Sequence, residues 1–123
     1  MPNRPTHFEI PVDDADRAEG FYETVFGWTF DRYPGAPNYY GLATTGKDEA
    51  GINGALFQRS DRSSVTTLTM SVDSIEDSIA KVEAAGGSVV QQKTPIPTMG
   101  WFATCTDTEG NTFGLYTDDP SAG

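Results

Sequence analysis

Two side chains near the N-terminus could carry acid–base chemistry. His7 is the only histidine of the 123-residue chain, and Glu9 follows it two positions later. Because side chains alternate between the faces of a strand, His7 and Glu9 would share one face of the strand predicted over residues 7–12. An imidazole beside a carboxylate can move a proton to or from a small molecule, so we predict catalytic roles for this pair. The alternative is a structural His7, satisfied by hydrogen bonds near the end of the sheet.

Aromatic side chains on several predicted strands could line a pocket for a small molecule. They are Tyr39 or Tyr40, Phe57, Trp101 and Tyr116. Alternation places Trp101 on the strand face of Cys105, and Tyr116 on the strand face of Gly114. Each aromatic residue alone is explained as well by a place in the core. Together they indicate an apolar pocket with a few polar groups, suited to a planar or aromatic ligand.

The elements that would position these side chains occur twice. The segment HFEIPVDDADRAEGFYETVFGW from residue 7 matches TLTMSVDSIEDSIAKVEAAGGS from residue 67, at an offset of 67 − 7 = 60. Each reads as a strand, a helix capped by Asp14 (or Asp13) or by Ser74, and a glycine at the helix end. Three more strands follow each helix, at residues 28–33, 38–44 and 52–58, and at residues 88–93, 100–106 and 112–116. This repeat predicts an α+β fold of two βαβββ modules, with eight strands curved around a cleft.

The repeat also sets the expected organisation of the chain. We predict a single domain over residues 1–123, with a first module at about 6–59, a linker at about 60–64 and a second module at about 65–117. Residues 118–123 are polar and are expected to be a frayed tail. The first helix carries an apolar stripe at helical spacing that is expected to face the core: Ala18, Phe21, Tyr22, Val25 and Phe26.

The paired pattern, with the motifs HFEIPVDDADRAEGFYETVFGW, GINGALF and DTEGNTFGLY, resembles the vicinal oxygen chelate superfamily. That superfamily includes glyoxalases, bleomycin-resistance binding proteins and extradiol dioxygenases. The resemblance covers residues 6–117, and the chain is most similar to the small glyoxalase-like proteins. It implies the glyoxalase/bleomycin resistance/dioxygenase fold, a small-molecule ligand in the cleft and a homodimer.

Metal-dependent members of the superfamily hold a divalent ion with one residue from the first strand and one from the last strand of each module. Carried over by position, the resemblance places His7 and Gly54 in the first module, and Thr67 and Gly114 in the second. Glycine has no side chain to donate, so these positions are too poor in ligands for tight binding. We therefore expect no cofactor; a divalent metal would be held through His7, with Glu9 partly replacing a lost carboxylate. The two glycines would leave space for a flat ligand, or would only let the sheet curve or bulge.

Composition limits the partners. Eight basic and 18 acidic residues give a formal net charge of −10, which repels the phosphate backbone of nucleic acids. No apolar run is long enough to cross a bilayer and no signal peptide is recognisable, so we expect a cytoplasmic protein that binds neither nucleic acids nor membranes. The lone Cys105 agrees with a reducing compartment, and it is not expected to be a nucleophile because no second histidine could activate it. A high-salt source would also explain the acidic excess.

Three functions stay open. The first is a glyoxalase-like protein that binds or sequesters a small apolar or aromatic molecule and has an incomplete metal site. The second is a lyase or isomerase that uses His7 and Glu9 as acid and base, with or without a divalent metal. The third is an accessory module whose cleft is used by a partner protein. The candidate ligand-binding residues are Tyr39, Gly54, Thr67, Trp101, Gly114 and Tyr116.

Overall fold

The computed structural model describes residues 3–35, 38–61 and 64–123. The chain forms two compact units: an N-terminal unit over His7–Thr66, and a C-terminal unit over Thr67–Gly123 that also includes the first residues up to Thr6. The linker predicted over residues 60–64 contains Arg62 and Ser63, which lie outside the described residues. Among the described helices, none combines the length and the apolar character needed to cross a membrane.

The order strand, helix, strand, strand, strand occurs twice, so the predicted α+β fold of two βαβββ modules is confirmed. The elements are β1 (Arg4–Val12), α1 (Ala15–Phe26), β2 (Thr29–Arg32), β3 (Tyr40–Thr44), β4 (Asn53–Gln58), β5 (Thr67–Ser71), α2 (Ile75–Ala84), β6 (Ser88–Ile96), β7 (Gly100–Thr106) and β8 (Thr112–Asp118).

The two helices start at the predicted offset and with the same kind of cap. α1 begins at Ala15 and α2 at Ile75, and 75 − 15 = 60. The Asp14 carboxylate accepts a hydrogen bond of 3.0 Å from the backbone N–H three residues later, and the Ser74 hydroxyl does the same at 3.1 Å. These bonds satisfy donors that the first helical turn leaves without a partner. Asp14, and not Asp13, is therefore the cap of the first helix.

In the N-terminal unit the strands lie in the order β2-β3-β4-β1, with β1 parallel to β4 and the other pairs antiparallel. Paired residues share a face of the sheet, and neighbours along a strand alternate between faces. We call one face the His7 face; the register places on it His7, Glu9, Tyr40, Leu42, Asn53, Ala55 and Phe57. Phe8, Gly54 and Leu56 lie on the other face, which α1 covers in part.

In the C-terminal unit the strands lie in the order β5-β8-β7-β6, with β5 parallel to β8. Below α2, one face of this sheet forms a core whose buried residues are Val72, Ile75, Ala103, Cys105 and Leu115. Cys105 has no exposed surface, and burial raises the pKa of its thiol. A protonated, buried thiol agrees with the expectation that Cys105 is not a nucleophile.

The C-terminal tail is ordered, so the frayed tail predicted over residues 118–123 is wrong. Ala122 is only 5% exposed, and its carbonyl accepts a hydrogen bond of 3.0 Å from the backbone N–H of Thr98. β6 also runs further than predicted, through Lys93 and Pro95 to Ile96. Proline is tolerated there because β6 lies at the edge of its sheet, where a missing N–H removes no essential ladder bond.

The apolar stripe of α1 is not a core face, contrary to the prediction. Phe21, Val25 and Phe26 are 57%, 52% and 59% exposed, and none of the described α1 residues is buried. Tyr22 stacks on Trp28 instead, with the ring centroids 4.8 Å apart. Ring stacking therefore anchors this helix, while much of its apolar surface faces outward.

Candidate functional site

Three polar side chains meet on the His7 face. His7 and Glu9 are carried by β1, and Tyr40 is the first residue of β3. The Tyr40 hydroxyl lies 3.4 Å from His7 Nε2, and Tyr40 and Glu9 shift each other's pKa. All three residues are partly buried. Alternation along β1 predicted that His7 and Glu9 share a face, and the structure adds a tyrosine that hydrogen-bonds with His7 and influences the pKa of Glu9.

Burial shifts each of these groups toward its neutral form. It raises the pKa of the Glu9 carboxyl, and the interaction with the Tyr40 hydroxyl offsets part of that rise. It lowers the pKa of the His7 imidazole. It raises the pKa of the Tyr40 phenol, and the neighbouring Glu9 carboxylate raises it further. At neutral pH the cluster therefore presents a neutral imidazole and a neutral phenol beside a carboxylate with increased proton affinity.

The surroundings of this cluster are mostly apolar. Phe57 pairs with Tyr40 across β3 and β4, and Leu42 pairs with Ala55. Ala55 is fully buried, whereas Leu42 is 38% exposed. The ring of Tyr33 lies edge-on to that of Tyr40, with centroids 6.3 Å apart. A few converging polar groups in apolar surroundings are typical of sites that bind small molecules.

Tyr39, which we predicted to bind the ligand, points away from the His7 face. Its hydroxyl donates a hydrogen bond of 2.7 Å to the Glu19 carboxylate on α1, and the Arg32 guanidinium lies 5.1 Å from its ring centroid. Because adjacent residues alternate in direction, Tyr40 is the tyrosine that joins His7. The sequence left the choice between the two tyrosines open, and the structure places Tyr40, not Tyr39, beside His7.

Gly54 and Gly114 do not leave open space for a ligand. A Cβ atom at Gly54 would lie 2.5 Å from Cγ of Phe8, its partner in the register of β1 and β4. A Cβ atom at Gly114 would lie 2.7 Å from Oγ1 of Thr69, its partner in the register of β5 and β8. Each glycine makes room for a neighbouring side chain of its own sheet. The space that the prediction left for a ligand at these two positions is therefore filled by Phe8 and Thr69.

The other predicted ligand-binding residues lie in the C-terminal unit and do not share one face. Alternation and register place Thr67 and Tyr116 on the same side of this sheet. The Tyr116 hydroxyl donates to the Asp118 carboxylate at 3.0 Å. Trp101 packs against the buried core on the opposite side, and its indole N–H donates to the Asp119 carboxylate at 3.0 Å. Trp101 and Tyr116 therefore point to opposite faces of this sheet.

The side chains present do not fit the divalent metal of the metal-dependent superfamily members. No group of three or more His, Cys, Asp or Glu residues in the described parts of the chain is arranged to hold an ion. The His7 face offers one imidazole and one carboxylate, and both interact with the Tyr40 hydroxyl. Protein metal centres use three or four such donors.

The first module also matches a known family in sequence. Residues 4–45 match the family described as bleomycin resistance protein-like N-terminal. This match contains β1 with His7 and Glu9, the whole of α1, and β3 with Tyr40. No curated protein matches the chain.

Solved structures show the same fold at low sequence identity. Methylmalonyl-CoA epimerase from Mycobacterium tuberculosis is 16% identical, with a TM-score of 0.70 over 94% of this chain and 88% of that chain. A hypothetical protein from Bacillus halodurans C-125 is 15% identical, with a TM-score of 0.73 over 100% and 99% of the two chains. A variant of Streptomyces coelicolor methylmalonyl-CoA epimerase, in complex with 2-nitronate-propionyl-CoA, is 15% identical, with a TM-score of 0.69 over 100% and 99%.

Proposed function

We propose that this chain is a member of the vicinal oxygen chelate superfamily, which its fold and the family match over residues 4–45 support, and that it binds a small, largely apolar or aromatic molecule at the His7 face without a metal ion. The observation that carries the proposal is the cluster of His7, Glu9 and Tyr40 in apolar surroundings. The complex of the Streptomyces coelicolor neighbour with 2-nitronate-propionyl-CoA supports a small-molecule role for the fold.

The chemistry of the cluster narrows the ligand class. The Tyr40 hydroxyl can donate a hydrogen bond, the Glu9 carboxylate can accept one, and the neutral His7 imidazole can do either. The formal charge of −10 disfavours polyanions, which include coenzyme A esters. We therefore expect an uncharged or cationic planar molecule that carries both hydrogen-bond donors and acceptors.

A fragment screen with two matched tyrosine variants tests this proposal. Uncharged, cationic and anionic aromatic fragments are added to the protein, and binding is followed by ligand-observed NMR. Tyr40→Phe removes one hydrogen bond on the His7 face and is expected to weaken the bound fragments roughly 2- to 10-fold. Tyr39→Phe makes the same chemical change on the other face and is expected to leave their affinity unchanged. Fragment binding that is insensitive to Tyr40→Phe, or equally sensitive to both variants, would contradict the proposal.

The raised pKa of Glu9 favours a second candidate function, an isomerase of the epimerase kind. In this function the Glu9 carboxylate takes a proton from the carbon next to a carbonyl group, and the C–H electron pair moves onto the carbonyl oxygen as an enolate forms. The Tyr40 hydroxyl would donate a hydrogen bond to that oxygen. A proton from solvent then adds to the opposite face of the enolate and regenerates the carbonyl group with inverted configuration, and Glu9 releases the proton that it took to solvent.

Deuterium exchange separates the two candidates. Methylmalonyl-CoA, the substrate named by the epimerase neighbours, is incubated with the protein in D2O and a chelator, and its mass is followed. Deuterium uptake that Glu9→Gln abolishes would support the isomerase. If fragments bind at the His7 face and neither this thioester nor simple ketones take up deuterium, the result would support a function in binding alone.

We further propose that the chain forms a homodimer and works in the cytoplasm. The exposed apolar residues Phe21, Val25 and Phe26 support the dimer, because exposed apolar surface of this kind is typical of interfaces. The buried, unpaired Cys105 agrees with a reducing compartment. Light scattering is expected to give twice the chain mass of 13.3 kDa, and a mass of 13.3 kDa would contradict the dimer.

A further inference from the structure

A groove lies beside the start of α2 in the C-terminal unit. Its volume is about 350 Å³, and we call it the Trp101 groove after its aromatic wall. Its lining includes Glu76, Lys93, Trp101, Asp118 and Asp119. None of these residues belongs to the His7 cluster, so this groove is independent of the function proposed above.

The indole ring of Trp101 is held in a fixed orientation. Its N–H donates to the Asp119 carboxylate at 3.0 Å. Asp119 is itself held by Ser121, whose backbone N–H and hydroxyl donate to the other carboxylate oxygen at 2.9 and 2.6 Å. The ring is only partly buried against the core below α2. Trp101 therefore presents a preorganised aromatic surface to the groove.

An ammonium group of the chain itself lies on this aromatic surface. Lys93 Nζ is 4.4 Å from the centroid of the Trp101 ring and 2.5 Å from a carboxylate oxygen of Glu76. Lys93 lies where the pairing of β6 with β7 shifts register, between Gln91 and Thr94, and such irregularities re-aim side chains. The Lys93 side chain is 37% exposed, so its ammonium group can leave the ring for solvent.

The charges around the ring favour a cation. Four carboxylates (Asp73, Glu76, Asp118 and Asp119) and one lysine line the groove, which gives 1 − 4 = −3. The ion pair with Lys93 lowers the pKa of Glu76, and hydrogen bonds from Ser121 and Trp101 lower the pKa of Asp119, so both stay ionised at neutral pH. The Ser74 cap already satisfies a backbone donor at the start of α2, which leaves that helix end less able to attract an anion.

We propose that the Trp101 groove binds a small organic ammonium ion, and that Lys93 occupies the aromatic surface until such a ligand displaces it. An ammonium group is attracted to the negative face of an indole ring, most strongly where carboxylates complete the site. Lys93 acts as a tethered competitor, because its ammonium group is always present at a high effective concentration. Removal of that group is therefore expected to expose a site for an external ammonium ion of the same chemistry.

The test uses Trp101 fluorescence and tetramethylammonium chloride as the probe. The chain has two tryptophans, so a Trp28→Phe background leaves Trp101 as the reporter. Lys93→Met removes the competitor, and Lys47→Met is the matched control because it makes the same change in charge on the loop before β4. We expect saturable quenching of Trp101 with a half-saturation concentration about tenfold lower in Lys93→Met than in Lys47→Met. Glu76→Gln added to Lys93→Met is expected to weaken binding about threefold or more.

Sodium chloride at equal ionic strength serves as the reference for unspecific effects of salt. Equal half-saturation in the two lysine variants, or the same quenching with sodium as with tetramethylammonium, would overturn the proposal. Circular dichroism shows whether Lys93→Met is folded, and Lys93→Gln repeats the test with a polar side chain of similar length. Neither result depends on ligand binding or proton exchange at the His7 face, so this proposal and the proposed function can fail separately.

Discussion

Gly54→Ala probes the packing of the N-terminal sheet, because the added methyl group would meet an aromatic ring that cannot easily move. The new Cβ atom would lie 2.5 Å from Cγ of Phe8, where carbon atoms prefer about 3.5–4.0 Å. The Phe8 ring is itself in contact with Trp28, with centroids 5.4 Å apart. Gly54 is buried in the central strand β4, paired with both β1 and β3, so the backbone has little freedom to retreat.

Overpacking of this kind destabilises a folded chain by roughly 1–3 kcal/mol. At about 4 °C per kcal/mol for a chain of this size, thermal unfolding followed by circular dichroism should show a Tm lower by about 4–12 °C. Gly20→Ala is the matched control, since nothing lies within 4 Å of a Cβ atom at that position in α1. It is expected to stabilise the protein by about 0.5–1 kcal/mol, because alanine loses less conformational entropy in a helix.

A double-mutant cycle with Phe8→Leu decides whether the ring is the cause. In the Phe8→Leu background the cost of Gly54→Ala is expected to fall by at least about 0.5 kcal/mol, the signature of two residues in contact. An unchanged cost in both backgrounds would refute the packing argument. If Gly54→Ala left the Tm unchanged and instead weakened fragment binding, Gly54 would line the ligand site after all.

Three further outcomes follow from the electrostatics and caps of the structure. Burial raises the pKa of Glu9, so the stability contributed by its protonated form is full below about pH 4 and is lost as the pH rises through the raised pKa. Glu9→Gln is therefore expected to gain stability relative to the parent protein between pH 4 and pH 7.5. A difference in Tm between the two proteins that does not change with pH would contradict this. Asp14→Ala and Ser74→Ala each remove a helix cap and are expected to lower the free energy of unfolding in urea by about 1 kcal/mol. A decrease of less than a few tenths of a kcal/mol would show that the caps contribute little to stability. Cys105 has no exposed surface, so a thiol reagent is expected to react with it in urea and not in buffer; rapid reaction in buffer would mean that this core opens readily.

The repeat was readable from the sequence because it rests on local rules. Asp14 and Ser74 cap their helices through bonds to N–H groups three residues away, and such contacts depend on nearby residues alone. The pairing of His7 with Glu9 followed from alternation along one strand, which needs no knowledge of the neighbouring strands. The split of Trp101 and Tyr116 between two faces could also have been read from alternation once the strand register was known.

The errors concern contacts between elements. Tyr39 and Tyr40 are equivalent by composition, and only the hydrogen bond from Tyr39 to Glu19 on α1 shows which of them faces the helix. The stripe with Phe21 and Phe26 has the spacing of a core face, yet spacing does not reveal how much of a helix its sheet covers.

The sequence by itself determined the duplicated βαβββ order, the helix starts and the single strand that bears His7 and Glu9, since capping and alternation act over a few residues. Tertiary structure alone decided that Tyr40 joins this pair, that Phe8 and Thr69 fill the space beside Gly54 and Gly114, and that Lys93 lies over Trp101. These contacts depend on the register between strands distant in sequence, and that register is set by the packing of whole side chains against one another.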